Sequence, residues 1–370
     1  MRILHILDIT YPSGTSKHVL MLTSALRERG HDVMVLCPGA DWLEGELRTA
    51  RIPHLPGGLR LRPFIANMSK YLQVIRNQNF DVIHSHMTRA AYCAALLGGL
   101  TRTPVVASVH TITHDIVYRR ILPFGKNRIV CVSDFLRNSM LRQHIPPQYL
   151  KRVYNATDYL PKTDGIVSSA DSEAEPCAVR AELEMPADAE IVGLFGHGDR
   201  KGISLLIRAA REISRHRPRA QFVFVGHILA EVEHSFQTLA ASEGVKTLVR
   251  FTGSRTDIPR LMRAMDIITL PSEMETFGMV LIEGMALGKP VVGTNVGGIP
   301  ELIRDKETGL IVEQTPEALS AAIIGLLEDP AGRAAMGEAG QARVRDCFSV
   351  DRMTTNFELL YREMLCSDQD

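Results

Sequence analysis

The chain has 370 residues, 45% of them hydrophobic and 23% charged, which is too long for one ordinary core and suits two α/β domains. Its formal net charge is zero, yet residues 1–165 hold 21 of the 42 lysines and arginines and only 11 of the 42 aspartates and glutamates, so a basic first part precedes an acidic second part. No Cys-x-x-Cys spacing occurs among the six cysteines, and the longest apolar stretch, Ala90–Leu100, falls far short of the ~20 residues of a membrane span, which argues against a redox or zinc-ribbon motif and a transmembrane helix.

Taken in chain order, short β-branched runs alternate with amphipathic stretches. The first part predicts strands at Ile3–Leu7, Val33–Cys37, Asp81–His84, Val105–Val109 and Arg128–Val132, with helices at Lys17–Arg29, Pro63–Asn77 and Phe135–Gln143 between them. That rhythm implies a parallel sheet covered by helices on both faces. Residues 161–188 are polar and poor in large apolar side chains, and read as a connection between domains. The rhythm restarts with strands at Ile191–Phe195, Gln221–Val225, Leu248–Thr252, Ile267–Leu270, Pro290–Gly293 and Gly309–Val312. The last stretch, Val350–Leu365, spaces Met353, Phe357, Leu360 and Met364 as one helical face that would suit packing back on the first domain.

Within residues 51–152 the basic excess is 15 to three, the acids being Asp81, Asp115 and Asp134, which favours anionic partners such as a phosphorylated saccharide, an anionic lipid or a membrane surface. No nucleic-acid-binding motif or aromatic platform accompanies it. Scattered cysteines and the strand-like opening, Met1–Leu7, place the protein in the cytoplasm or peripherally on the inner face of the membrane.

The most informative segment is Pro271–Glu301, which holds Pro-Ser, Glu275-Thr-Phe-Gly278, Glu283 and Gly-Lys-Pro-Val-Val. A second is Gly193-Leu-Phe-Gly-His-Gly-Asp-Arg-Lys201-Gly, a glycine-rich turn that opens a helix. Together these resemble the retaining glycosyltransferases of family 4, the group 1 glycosyl transferases, with the GT-B fold. The resemblance implies two facing Rossmann-like domains with an interdomain cleft: an acceptor-binding domain over 1–165, with helix 350–366 packed back on it, and a nucleotide-sugar-binding domain over 166–349.

It further implies a hexosyltransferase-type enzyme of polysaccharide or lipopolysaccharide biosynthesis. Such an enzyme moves sugar from a nucleotide sugar to a saccharide or lipid-linked acceptor, without a cofactor or a metal. Glu275 would lie beside the transferring sugar and Glu283 on the ribose hydroxyls, with Thr276, Phe277, Gly278, Met279 and Val280 around the donor. A helix starting near Phe277 would direct the free N–H groups of Thr276, Phe277 and Gly278 at the diphosphate, and would put Glu283 roughly 9 Å along its axis. Lys201 would neutralise the leaving phosphate, while His197 stands where the family places an arginine; either Arg200 substitutes for that charge or His197 binds phosphate when protonated. Tyr11–Leu20 resembles the family's glycine loop, with Gly14 kept, and His110, after the strand Val105–Val109, would contact the sugar.

His31 reads as structural. His84 and His86 could suggest a metal pair, but without a third ligand at sensible spacing a structural or acceptor-side role is preferred, and no metal site is expected. Retention is expected to proceed on one face of the sugar, with Glu275 as a positioning group. The alternatives are a nucleotide-sugar epimerase on the same fold and a non-catalytic nucleotide-sugar-binding protein. The nucleotide base, sugar, linkage and oligomeric state are not legible.

Overall fold

The computed structural model describes residues 1–9, 11–39, 42–112, 117–161 and 169–366. It divides into two compact units, residues 1–156 with 350–370, and residues 157–349. In the first, strands β1 (Arg2–Leu7), β2 (Asp32–Cys37), β3 (His54–Pro56), β4 (Val82–His86), β5 (Val105–Val109), β6 (Asn127–Cys131) and β7 (Leu150–Arg152) form one parallel sheet, in the order β3-β2-β1-β4-β5-β6-β7. In the second, β8 (Glu190–Phe195), β9 (Ala220–Val225), β10 (Val249–Phe251), β11 (Ile267–Leu270), β12 (Val291–Thr294) and β13 (Leu310–Val312) do the same in the order β10-β9-β8-β11-β12-β13.

Every residue of β4, β5, β9, β11 and β12 is buried, as parallel strands covered by helices on both faces must be, and all of these but β4, which is Val-Ile-His-Ser-His, are mainly apolar. The helix Val350–Cys366 belongs to the first unit. Met353, Phe357, Leu360, Tyr361 and Met364 share a core with Ile3, Leu22, Val82 and Val106, and Arg29 contacts both Asp351 and Glu358.

Three local readings are corrected. The helix expected over Pro63–Asn77 is two, Leu61–Ala66 and Met68–Gln78, because the chain turns out of helical geometry at Asn67 (φ −101°, ψ 4°). The strands β3, His-Leu-Pro, and β7, Leu-Lys-Arg, are not among those expected, because each has three residues with a single large apolar side chain, unlike the equally short β10 and β13. Part of the polar stretch read as a connection is a helix, Ser169–Glu182, whose buried Val179 and ion pairs from Glu182 to Arg255 and Arg260 fix it to the second unit.

Candidate functional site

In an open α/β sheet, ligands bind beyond the carboxyl ends of the strands where the winding reverses. In the second unit that point lies between the adjacent strands β8 and β11. The loops leaving them run side by side: the Glu273 N–H donates to the Arg200 carbonyl at 3.0 Å. Gly202, at φ +85°, lies so close to the neighbouring loop that a Cβ there would stand 2.0 Å from the Pro271 carbonyl oxygen. A third loop, after β12, closes the arrangement. Gly297 has φ +57° and would bring a Cβ within 1.8 Å of the Glu275 carbonyl oxygen, which also accepts the Gly298 N–H at 3.0 Å. Only glycine meets both demands at once.

These contacts hold Glu275, whose side chain is 11% exposed. One carboxylate oxygen accepts the Thr276 N–H at 3.1 Å and the other pairs with the Lys201 ammonium. Met279 and Val280, both half-buried, begin the helix Met279–Ala286, not Phe277, because Gly278 is left-handed at φ +106° and cannot be a helical residue. Glu283 is therefore only about 6 Å along the axis from the helix start. The Thr276 N–H, engaged by the Glu275 carboxylate, is not the free phosphate donor expected of it. Phe277 is buried edge-on against Phe348, with ring centroids 6.0 Å apart, so its side chain anchors the loop.

Glu283 is buried at 8% exposure. Burial, with the negative charges of Glu283 and Asp158, raises the pKa of the Tyr159 hydroxyl and thereby marks Tyr159 as a neighbour of Glu283. Sequence reasoning missed Tyr159, since nothing in its local pattern connects it to a helix so far along the chain. On the turn after β8, Arg200 is exposed, and exposed His197 has Nδ1 3.0 Å from the His227 backbone nitrogen and 3.3 Å from its carbonyl oxygen. His227 is a second residue the sequence reading passed over.

In the first unit the reversal lies between β1 and β4. Gly14 is the first residue of the helix Gly14–Glu28, capped by Ser13 and Ser16, each of which bonds the other's backbone N–H. His5 on β1 is directly opposite His84 on β4, and His86 follows on the same face because side chains alternate along a strand. His110, just beyond β5, and His18, one turn into the helix, complete a buried group in which His110 is the most exposed, at 7%. His86 Nε2 is 3.1 Å from His5 Nδ1, and His86 Nδ1 is 3.3 Å from His110 Nε2. His84 is held between the Tyr361 hydroxyl at 2.6 Å and the Ser108 hydroxyl at 2.7 Å. The sequence reading found no third ligand near His84 and His86; the sheet supplies His5, His18 and His110, and two sets of three have ligand nitrogens within 4.8 Å of one another. Burial is the first cause lowering every one of these imidazole pKa values, with mutual repulsion of their charged forms the usual second.

Among the described residues, no helix is long and apolar enough to cross a membrane. Residues 12–159 match the model of Glycosyltransferase Family 4, and residues 179–343 that of Glycosyl transferases group 1. A phosphatidyl-myo-inositol mannosyltransferase of Mycobacterium tuberculosis is 29% identical over 358 residues, covering 90% of this chain and 89% of its own. A D-inositol 3-phosphate glycosyltransferase of Corynebacterium aurimucosum is also 29% identical, over 78% of this chain and 72% of its own. The solved structure of Anabaena HepE in complex with UDP has a TM-score of 0.85 at 21% identity, covering 98% of this chain and all of that one, a likeness of fold.

Proposed function

The chain belongs to family 4 of the glycosyltransferases, has the GT-B fold and is itself a glycosyltransferase; from that premise we propose that it takes its sugar from a nucleoside diphosphate donor, with retention and without a metal on the diphosphate. One observation carries this reading: Lys201 and Glu275 meet beyond the carboxyl ends of β8 and β11, with Glu283 buried on the helix that begins beside them. A cation, a helix start and two carboxylates then bracket the winding reversal. Lys201 and the amides at the start of Met279–Ala286 would stabilise the leaving diphosphate, Glu283 would accept hydrogen bonds from ribose hydroxyls, and Glu275 would position the sugar.

The anomeric carbon–phosphate oxygen bond breaks as the bond to the acceptor oxygen forms on the same face. The acceptor's proton passes to the departing phosphate oxygen. No enzyme nucleophile enters this scheme, which distinguishes Glu275 from the nucleophile of a retaining glycosidase.

The acceptor is an anionic polyol or saccharide, free or carried on a lipid. Two relatives act on inositol compounds that bear a phosphate, by their names, and the first unit exposes Arg60, Arg62, Lys70 and Arg76. Exposed Leu61 and Ile65 lie among these cations, a combination suited to a membrane surface carrying such an acceptor.

The test is thermal unfolding with UDP, GDP, ADP and their sugar conjugates, each with and without Mg²⁺, since a ligand selective for the native state raises the unfolding temperature. A rise with one nucleoside diphosphate that is unchanged by excess EDTA is expected. No rise with any nucleotide would overturn the donor reading, and a strict Mg²⁺ requirement would overturn the metal-free one. Once a donor is identified, the anomeric configuration of the product by NMR decides retention.

A further inference from the structure

We infer that His5, His86 and His110 form a one-directional chain of hydrogen bonds in the first unit, in which His86 is a positioning residue: it fixes the proton of His110 on Nδ1 and makes that ring a hydrogen-bond donor toward a ligand oxygen. The inference rests on the expectation that His110 contacts the transferring sugar, and it supplies the chemistry of that contact.

Strand register builds the chain. His5 on β1 pairs with His84, and His86 on β4 pairs with Ser108 on β5. His86 is two residues beyond His84 and His110 two beyond Ser108, so the three rings climb diagonally across β1, β4 and β5 on one face, toward the carboxyl edge where an open sheet takes ligands. His86 Nε2 is 3.1 Å from His5 Nδ1, and His86 Nδ1 is 3.3 Å from His110 Nε2. The corresponding ring centroids are 5.4 and 5.6 Å apart. Each separation exceeds its nitrogen–nitrogen distance by the diameter of one imidazole ring. The facing nitrogens therefore lie on the line of centres, and an N–H on either points straight at the lone pair of the other. Neighbouring rings stand outside this chain: the two His84 nitrogens meet the hydroxyls of Tyr361 and Ser108, and His18 packs edge-on against His86 and His110.

Proton counting gives the direction. Burial is the largest cause pushing the His5 pKa down to about 3 and those of His86 and His110 well below the ordinary value, so at neutral pH each ring carries one proton. One proton per ring and one per contact leave two arrangements. In the first, every ring is protonated on Nε2, which makes His5 Nε2–H a buried donor with no hydrogen-bond partner among the described residues. In the second, every ring is protonated on Nδ1: His5 donates to His86, His86 donates to His110, and His110 Nδ1–H donates beyond the chain. The second leaves only a lone pair bare at His5 Nε2, and a bare acceptor is a lesser defect in a core than a bare N–H.

A neutral donor suits sugar transfer. As the bond between the anomeric carbon and the phosphate oxygen breaks, that carbon gains positive charge. His110 Nδ1–H holds a sugar oxygen without setting an imidazolium charge against it. His86 touches no substrate in this scheme and acts only through His110.

The experiment is long-range ¹H–¹⁵N NMR at neutral pH on the full chain carrying ¹⁵N-labelled histidine, which reads the nitrogen that holds each ring proton. The His110 signals are those missing from His110→Gln. Wild type should show His110 protonated on Nδ1, the form an unconstrained imidazole disfavours in water. His86→Leu should return His110 to Nε2–H and lower kcat about tenfold or more, with a smaller change in KM. His86→Asn, whose side-chain NH2 stands where the His86 Nδ1–H stood, should restore Nδ1–H on His110 and recover most of the rate. Wild-type His110 protonated on Nε2 overturns the inference. So does a folded His86→Leu that keeps the wild-type rate, or a His86→Asn as slow as His86→Leu. If the His86 variants fail to fold, the wild-type spectrum decides alone. The spectra need neither nucleotide nor sugar, so they judge the proton chain separately from the donor reading.

Discussion

The Lys201 ammonium rests on the Glu275 carboxylate, joining the turn after β8 to the loop after β11 at the place where the second sheet reverses its winding. An arriving diphosphate would compete with Glu275 for Lys201, so donor binding and the setting of Glu275 are coupled through this pair. Glu275→Ala should lower turnover by about 10²-fold or more, the scale of losing a group that acts on the transition state. A partly exposed ion pair stabilises by roughly 1 kcal/mol or less, about 2–4 °C of unfolding temperature in a chain with domains of this size. Steady-state rates beside a melting curve check this, and an active Glu275→Ala enzyme would remove the residue from the site.

His197 is exposed on the glycine-rich turn, where the resemblance to family 4 leads to the expectation of an arginine. His197→Arg should tighten nucleoside diphosphate binding about tenfold or more, because a hydrogen bond to a charged group contributes about 1.5–3 kcal/mol. Titration calorimetry measures it. Unchanged or weaker binding would show that this turn does not face the phosphates.

Gly297 and Gly325 make a matched pair for backbone strain. At Gly297 the left-handed φ and the Glu275 carbonyl 1.8 Å from a Cβ oppose any side chain, whereas Gly325 lies within the helix Pro316–Glu328 with nothing within 4 Å of its Cβ position. Gly325→Ala should stabilise by about 0.5–1 kcal/mol. Gly297→Ala should destabilise by at least about 1 kcal/mol and displace Glu275, so that activity falls with it. Equal melting temperatures for the two variants would contradict this account.

Acid should loosen the C-terminal helix through Glu358. Burial opposes its ionisation, but hydrogen bonds from His31 at 2.6 Å and Arg29 at 2.7 Å, with their charges, outweigh that and lower its pKa. Arg29 also engages Asp351 and Thr355 on the same helix. With the folded value below the unfolded one of about 4.3, the unfolded state binds more protons in that interval, so stability falls as pH falls. The contribution is complete above about pH 4.3 and disappears as pH drops through the folded value. Glu358→Gln should lower stability at pH 7 and flatten the acid limb, as read by denaturant titrations across pH.

Binding to vesicles of anionic lipid should weaken with salt and with reversal of exposed charges on the first unit. A basic residue near such a surface contributes about 1 kcal/mol, so reversing Arg62 and Lys70 to glutamate should weaken binding about tenfold or more. Sedimentation with vesicles at low and physiological salt tests this. Absence of binding at low salt would confine the anionic preference to the acceptor itself.

Amino-acid pattern alone determined the alternation of strand and helix, since period-two and period-3.6 spacings are local and survive without a fold. Through their resemblance to a known family, two contiguous runs also singled out Lys201, in Gly193–Gly202, and Glu275 with Glu283, in Pro271–Glu301, as candidates. The three-residue strands β3 and β7 escaped it, being stabilised by pairing to neighbours rather than by their own composition. So did the start of the helix bearing Glu283, which depends on the φ of Gly278.

Only tertiary structure decided which side chains meet. Parallel pairing sets His5 beside His84 across 79 residues of chain and brings His18 and His110 to His86, turning a two-histidine turn into a five-histidine core. The same holds for Tyr159 near Glu283 and for Gly297 against Glu275. Strand order and register are settled by the burial of both sheet faces and by loops that only glycine lets approach so closely. Such proximity depends on the whole core, and no local run of residues encodes it.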